Sequence, residues 1–253
     1  QKLNINVDGC RNIMTTTSDR KDIRSIVKIK SHYVDYNLFG TITGRLTTNK
    51  GSNPILTMKS KHRSLIKPTN DWFVSLDYNG AEVRTFLALS GHDQPDEDIH
   101  QWNMKHLYGD HPIDREEAKV RFFSSFYNSN DNSLNGSVYS RDRVLGDYFY
   151  GNRIQTPLGR TITVNQKKAF NYLIQSTTAD LTIDRAVALD KVLEGTKSKV
   201  AFIVHDEIVL DIHEEDRYKI LELKEVFENN KLGSFMANVK AGKNYGELKE
   251  LKV

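Results

Sequence analysis

Two apolar runs of this chain carry acids where apolar residues would be expected. Residues 201–212 read Ala-Phe-Ile-Val-His-Asp-Glu-Ile-Val-Leu-Asp-Ile, with Asp206 and Glu207 at the centre, and Trp72-Phe73-Val74-Ser75-Leu76-Asp77-Tyr78 brings Asp77 to the end of a second run. A carboxylate in a buried strand has to be paired, hydrogen-bonded or bound to a cation. One acid at a strand end is ordinarily just solvated. Two, delivered by separate strands, form a donor set for magnesium, which takes oxygen ligands and leaves room for substrate phosphates. Two such ions about 3.5–4 Å apart can hold both the attacking and the leaving oxygen of a phosphoryl transfer.

A second constellation could bind the substrate of such a reaction. Arg115, Lys119, Phe123 and Tyr127 recur every four residues, which keeps them on one slowly turning helix face. The cationic end suits phosphates and the aromatic end a base and sugar. The same spacing also fits an amphipathic helix with solvated cations and core rings. Lys59, Lys61, His62, Arg63 and Lys67 would suit a polyphosphate backbone or a plain solvated surface. Asn171 and Gln175, four apart near a helix start, could read base edges or simply face water.

The elements that would position these groups can be read from pattern. The sequence predicts a strand over 72–78, a helix over 80–90 stopped by Gly91, and a polar segment over 92–112 containing His100, His106 and His111. A helix follows from Arg115 to about Tyr127, capped by Asp114 with Glu117 three positions on. Residues 128–137 read as a loop, Thr156–Arg160 as a turn, and 166–193 as a long helix. Residues 199–204 and 208–212 form a hairpin with the acids at its tip. Upstream, 11–31 has weak helical periodicity at Ile23, Ile26, Val27 and Ile29, and 40–70 reads as loops and short strands.

Helices and antiparallel strands in separate blocks predict an α+β fold, and 253 residues suffice for a core with an inserted lobe. Hydrophobic content of 38% with 27% charged residues excludes a disordered chain, and a net charge of +3 permits a nucleic-acid partner. Cys10 is the single cysteine, which excludes an internal disulfide or a cysteine-rich zinc site and fits a reducing compartment. No apolar run could span a bilayer and no signal-peptide pattern opens the chain, so no membrane partner is expected. The absence of an initiating Met suggests a piece of something longer.

Taken in order, these segments resemble the polymerase region of family A DNA polymerases, the group of bacterial DNA polymerase I and many phage enzymes. Asp77-Tyr78-Asn79-Gly80-Ala81-Glu82-Val83-Arg84 is similar to the family's first motif, Asp-Tyr-Ser-Gln-Ile-Glu-Leu-Arg. Arg115, Lys119, Phe123 and Tyr127 match the second, and Val204-His205-Asp206-Glu207 the third. Thr43-Gly44-Arg45-Leu46, Asp98-Ile99-His100 and Gln175-Ser176-Thr177-Thr178-Ala179-Asp180 match smaller landmarks.

The resemblance implies an antiparallel palm sheet with helices, an inserted helical fingers lobe and a largely absent thumb. The expected divisions are 1–92 for a thumb remnant and the first part of the palm, 93–160 for reduced fingers, and 161–253 for the rest of the palm. It implies a template-directed DNA polymerase acting on primer-template DNA and dNTP. Asp77, Asp206 and the Tyr78 position would hold two magnesium ions, with Glu207 assisting. Arg115, Lys119 and His100 would bind the triphosphate, Lys119 also acting on the leaving group. Phe123 would pack on the incoming nucleotide, Tyr127 would test pair shape, and Glu82 would crowd a ribose 2′-hydroxyl. Arg45, Gln175, Asn171, His205, Arg84 and Lys167 would line the DNA. Missing segments or a separate subunit would supply thumb and exonuclease. The expected setting is the cytoplasm of a bacterial or phage-infected cell, with an organelle still open.

Some residues depart from the family pattern. Asn79, Gly80 and Ala81 stand for Ser, Gln and Ile, Asn128 and Ser176 each for Gly, and Lys167 for Arg. A non-catalytic nucleic-acid-binding subunit and a single-subunit RNA polymerase are the rival readings. Retention of the acids and cations speaks against the first, and Glu82 with Phe123 against the second.

Overall fold

The computed structural model describes residues 2–29, 33–109, 113–128, 131, 133–134 and 138–253. The fold is α+β, as expected, and the chain divides into two compact units. One comprises Gln1–Asp77, Thr182–Phe227 and Ala237–Val253, the other Tyr78–Leu181 and Glu228–Met236. These units divide the chain at 77/78, 181/182, 227/228 and 236/237. The reason is core membership: Val83, Phe86 and Leu87 share one apolar cluster with Ala169, Phe170 and Leu173.

The first unit is built on a five-stranded sheet. Its spatial order is Lys249–Glu250, Ala237–Gly242, Trp72–Tyr78, Glu207–Ile212, Lys199–Val204. Strand Trp72–Tyr78 runs antiparallel to Glu207–Ile212, with Asp77 opposite Glu207 and Phe73 opposite Asp211. Side chains alternate between faces, so Phe73, Ser75 and Asp77 share a face with Val209 and Glu207. Phe73 and Val209 join Phe202, Val204, Ile26, Ile55, Met58, Ile66 and Tyr245 in one buried cluster. Each such side chain contributes about 1.5–3 kcal/mol by leaving water. Asp211 is fully buried on this face and accepts from the amides of Thr69 and Asn70 at 2.8 and 3.0 Å. At the sheet edge, the Tyr36 phenol donates to the Ile203 carbonyl (2.6 Å) and accepts from its amide (2.8 Å). This occupies backbone groups that an open edge would otherwise offer to another chain.

Helix Thr17–Lys28 begins with a capping box between Thr16 and Asp19 and buries Ile23 and Ile26; of the other two positions its periodicity marks, Val27 is exposed and Ile29 lies just past the helix end.

The second unit holds the helices Ala81–Leu89, Ile99–Tyr108, Arg115–Tyr127 and Arg141–Tyr148, and a three-stranded sheet of Phe149–Tyr150, Arg153–Gln155 and Thr161–Thr163. The long helix Gln166–Val192 begins here. The core is aromatic: Phe86 meets Phe170 at 4.7 Å and Tyr139 at 5.0 Å, and Phe122 meets Tyr139 at 4.9 Å, in tilted or edge-on geometry. Such pairs add about 0.5–1.5 kcal/mol beyond area burial. The last turn of Arg115–Tyr127 is closed by Arg141. Its guanidinium donates to the carbonyls of Ser125, Phe126 and Asn128 at 2.9–3.0 Å and lies over the Phe170 ring.

Two helices of this unit are not visible as patterns. Ile99–Tyr108 buries Ile99, His100 and Asn103, so two of its three buried positions are polar and the apolar period disappears. Arg141–Tyr148 buries Val144 alone. His111 and much of the expected 128–137 loop lie outside the described residues.

Candidate active site

The turn joining Lys199–Val204 to Glu207–Ile212 consists of His205 and Asp206, because Val204 and Glu207 already pair across it. His205 has φ of 58°, a left-handed value that a two-residue hairpin demands and that costs a non-glycine residue about 1 kcal/mol or more. The tight turn places Asp206 immediately before strand Glu207–Ile212, next to the register pair Glu207–Asp77.

The electrostatics register this crowding. Burial, with the charges of Asp206 and Glu207 added to it, pushes the Asp77 carboxyl up to about 7, partly offset by Lys240. Burial also raises Asp206, against the nearby charges of His205 and Arg45. Two half-buried acids that both resist ionisation are groups a divalent cation would relieve. Glu207 is held differently. It accepts from the Ser75 hydroxyl at 2.5 Å and the Tyr245 phenol at 2.8 Å. Burial and the Glu207 charge raise the Tyr245 phenol, so it stays a donor. Neither Ser75 nor Tyr245 carries a signal in the sequence.

In the second unit, helix Arg115–Tyr127 places its four-residue stripe as expected. Asp114 caps it by accepting from the Glu117 amide at 2.8 Å. Ala118, Phe122 and Phe126 face the core, while Arg115, Lys119 and Phe123 stay half-buried and Tyr127 is exposed. The rings of Phe123 and Tyr127 stack at 5.8 Å. The Tyr127 phenol makes a short hydrogen bond to the Glu82 carboxylate, so the expected sugar-sensing acid and the expected shape-testing ring touch. His100 lies 5.9 Å from Phe123, ring to ring. Its Nδ1 is buried without a hydrogen-bond partner among the described residues, and burial lowers its pKa to about 4, so it is neutral near pH 7.

Asp98 is the residue that the sequence marks only as a landmark. It caps helix Ile99–Tyr108 through the amides of His100 and Gln101 and grips Arg115 with both oxygens, at 3.1 and 2.7 Å. Burial alone would raise its pKa, but the hydrogen bonds from Arg115 and Asn79 hold it well below the carboxylate range. Gly80 has φ of 71°, and a Cβ there would lie 2.6 Å from Ile99 Cγ2; only glycine lets this helix start approach.

The expected DNA-lining residues divide. Lys167 is exposed, and Asn171 and Gln175 are half-buried on the same face of the long helix. Arg45 and His205 are exposed in the first unit. Arg84 requires correction. It is fully buried, and its guanidinium is spent on the Asn79, Pro95 and Glu97 carbonyls at 2.7–3.0 Å. It braces the start of Ala81–Leu89 and has no face to offer a nucleic acid. The basic cluster also changes meaning: Lys59 pairs with Asp22 and Lys61 with Asp19, at 2.6 and 2.5 Å, and His62 is buried against Asp19.

Asp19, Asp22 and His62 could in principle share a metal ion. Asp19 already receives Lys61 and His62 on one oxygen and Thr15 and Thr16 on the other. Those donors neutralise and saturate it, and the group ties helix Thr17–Lys28 to the turn at Ser60–Leu65. Among the described residues, no helix is long and apolar enough to cross a membrane.

No protein-family model matches the sequence. The chain is 25% identical over 273 aligned positions to the thermostable DNA polymerase I of Thermus aquaticus, and likewise to that of Thermus thermophilus. Each match covers 81% of this chain and 33% of the relative, so the chain spans about a third of their length. Among solved structures, the polymerase domain of Pol1 from M. smegmatis, in complex with DNA primer-template and dNTP, shares the fold. The TM-score is 0.73 at 18% identity, covering 90% of this chain and 50% of that one. In sequence and in fold, the chain is therefore similar to the palm and fingers region of family A DNA polymerases.

Proposed function

We propose that this chain is the catalytic core of a DNA-directed DNA polymerase, adding deoxynucleotides to a primer 3′-hydroxyl with release of pyrophosphate. The observation that carries the reading is the acid pair: Asp77 lies near the end of strand Trp72–Tyr78, Asp206 lies in the turn just before the neighbouring strand Glu207–Ile212, and burial holds both toward the protonated form, reinforced at Asp77 by the charges of Asp206 and Glu207. Two hard carboxylates fit magnesium, held by Asp77, Asp206 and the Tyr78 main-chain carbonyl. When bound, two such ions would acidify the primer hydroxyl and neutralise the pyrophosphate.

The chain's own residues do the rest. Arg115 and Lys119 bind the triphosphate, and Lys119 stands ready to protonate the leaving group. Neutral His100 offers a phosphate a hydrogen bond without adding charge. Phe123 packs on the incoming base and sugar. Glu82, steadied by Tyr127, fills the space a 2′-hydroxyl would need, so ribonucleotides are rejected by a clash. Ser75 and Tyr245 fix Glu207, which assists at the metals through water. Arg45, Asn171 and Gln175 contact groove acceptors common to all correct pairs, which tests shape without reading sequence. His205 supports the primer end and Lys167 a backbone phosphate.

Extension of a labelled primer on a DNA template, with magnesium and either dNTP or NTP, tests this. Dependence on magnesium, preference for dNTP, and loss of extension in Asp77→Ala and Asp206→Ala are expected. Full activity in either variant would refute the metal assignment; equal use of NTP would favour an RNA polymerase.

A further inference from the structure

We infer that Asn79 is a positioning residue for nucleotide binding, acting through Asp98 to set Arg115 with one edge of its guanidinium presented to phosphate. The inference rests on the proposed triphosphate role of Arg115 and deepens it.

The Asn79 side chain is buried, and both of its ends are engaged. Its Nδ2 donates to Asp98 Oδ2 at 2.7 Å, and its Oδ1 accepts from the Ile99 amide at 2.8 Å and from Arg84 at 3.3 Å. Its backbone is fixed too: the amide donates to the Met236 carbonyl and the carbonyl accepts from Arg84 Nε. Asp98 is therefore held from three directions, by Asn79, by the first amides of its own helix, and by Arg115. Arg115 gives Asp98 its Nε and Nη2. That bidentate grip consumes one edge of a planar, rigid fork. Among the described residues the remaining nitrogen, Nη1, meets the exposed carboxylate of Glu116, a neighbour that water and a phosphate can displace. A guanidinium otherwise free to rotate is in this way reduced to a single orientation, and the orientation is set by a side chain on another element.

An amide suits this task. Asn offers a donor to the carboxylate and an acceptor to the Ile99 amide at once, which neither Ala nor a carboxylate can do. Replacing Asp98 by Asn would place an N–H against the donors of Asn79 and Arg115.

The test is steady-state primer extension with Asn79→Ala and Asp98→Asn, each made alone and combined with Arg115→Ala, with melting temperature recorded for every protein. Asn remains a good helix cap, so Asp98→Asn guards against a trivial folding failure. In Asn79→Ala the KM for dNTP is expected to rise about fivefold, the loss of roughly one hydrogen bond's orienting effect, and in Asp98→Asn it is expected to rise further, because the contacts from both Asn79 and Arg115 to one oxygen are lost; kcat is expected to change less than twofold in both. In the Arg115→Ala background neither change is expected to raise KM further. An equal rise of KM with and without Arg115 would overturn the inference and leave Asn79 a purely structural residue. If Arg115→Ala alone leaves the dNTP KM unchanged, the nucleotide role of Arg115 fails first and this inference with it. A wild-type chain that extends no primer would instead refute the polymerase reading itself.

Discussion

Asp77→Asn is expected to make the metal-free protein more stable while abolishing catalysis, and the gain should depend on pH. In the folded chain the Asp77 carboxyl titrates at about 7, against an ordinary 3.8. That displacement of the carboxyl corresponds to an upper bound of about 4 kcal/mol. Partial exposure and relaxation reduce that to about 2 kcal/mol. The sign follows from proton counting. Between pH 4 and 7 the folded state holds a proton that the unfolded chain has released, so wild-type stability falls as pH rises through that window. Above pH 7 the whole penalty is present; below pH 4 none is. Asn, of the same shape and uncharged, never pays it. Melts in EDTA should therefore show the variant about 4–8 °C above wild type at pH 8, using about 2–4 °C per kcal/mol for a chain of this size. At pH 4 the two curves should converge. Magnesium should then raise the wild-type melting temperature, by about 2.7 kcal/mol of stability at a hundred times its dissociation constant, and raise the variant much less. Coincident melts at pH 8 in EDTA, or a difference as large at pH 4 as at pH 8, would refute the claim that burial and the neighbouring acids Asp206 and Glu207 strain Asp77.

Glu82→Ala should relax sugar discrimination by about a hundredfold, the scale of one lost steric exclusion, read as the ratio of kcat/KM for dNTP and NTP; an unchanged ratio would remove Glu82 from sugar selection. Arg141→Met should cost about 2–3 kcal/mol in denaturant melts, since it leaves buried carbonyls at the end of helix Arg115–Tyr127 without their donor; a neutral result would mean water replaces it. His205→Gly should stabilise the hairpin by about 0.5–1 kcal/mol, relieving the left-handed backbone at 58°, whereas His205→Val should destabilise it; the reverse order would show the turn relaxes freely. Asp19 is held far below the ordinary carboxylate range, chiefly by Lys61 and then Thr16. Its contribution is present above the unfolded carboxylate range and lost as pH falls, so Asp19→Asn should shift melts at pH 7 and leave their response to added divalent metal unchanged.

What could be read from the chain follows the physics of each signal. Asp77 and Asp206 were legible because acids inside apolar runs are costly, and that cost is written locally. The stripe Arg115–Lys119–Phe123–Tyr127 was legible because helical spacing is a local property, and Asp114 supplied a cap where the pattern began. The expected strand Trp72–Tyr78 and hairpin match the observed ones for the same reason. Side chains that act through partners distant in sequence leave no such trace. Tyr245 reaches Glu207 across 38 positions and Ser75 across 132, and neither lies in a motif. Arg84 misled because a conspicuous cation next to an acid motif reads as a ligand-binding group, whereas three backbone carbonyls had already claimed it. The basic cluster left two readings open for the opposite reason: its counter-ions, Asp19 and Asp22, sit some forty residues upstream. Asn79 combines both cases. Its position beside Asp77 singles it out in the sequence, but its partners Asp98 and Ile99 are about twenty residues away. Only when those contacts are seen does an unusual residue in a familiar motif become the amide that sets a guanidinium.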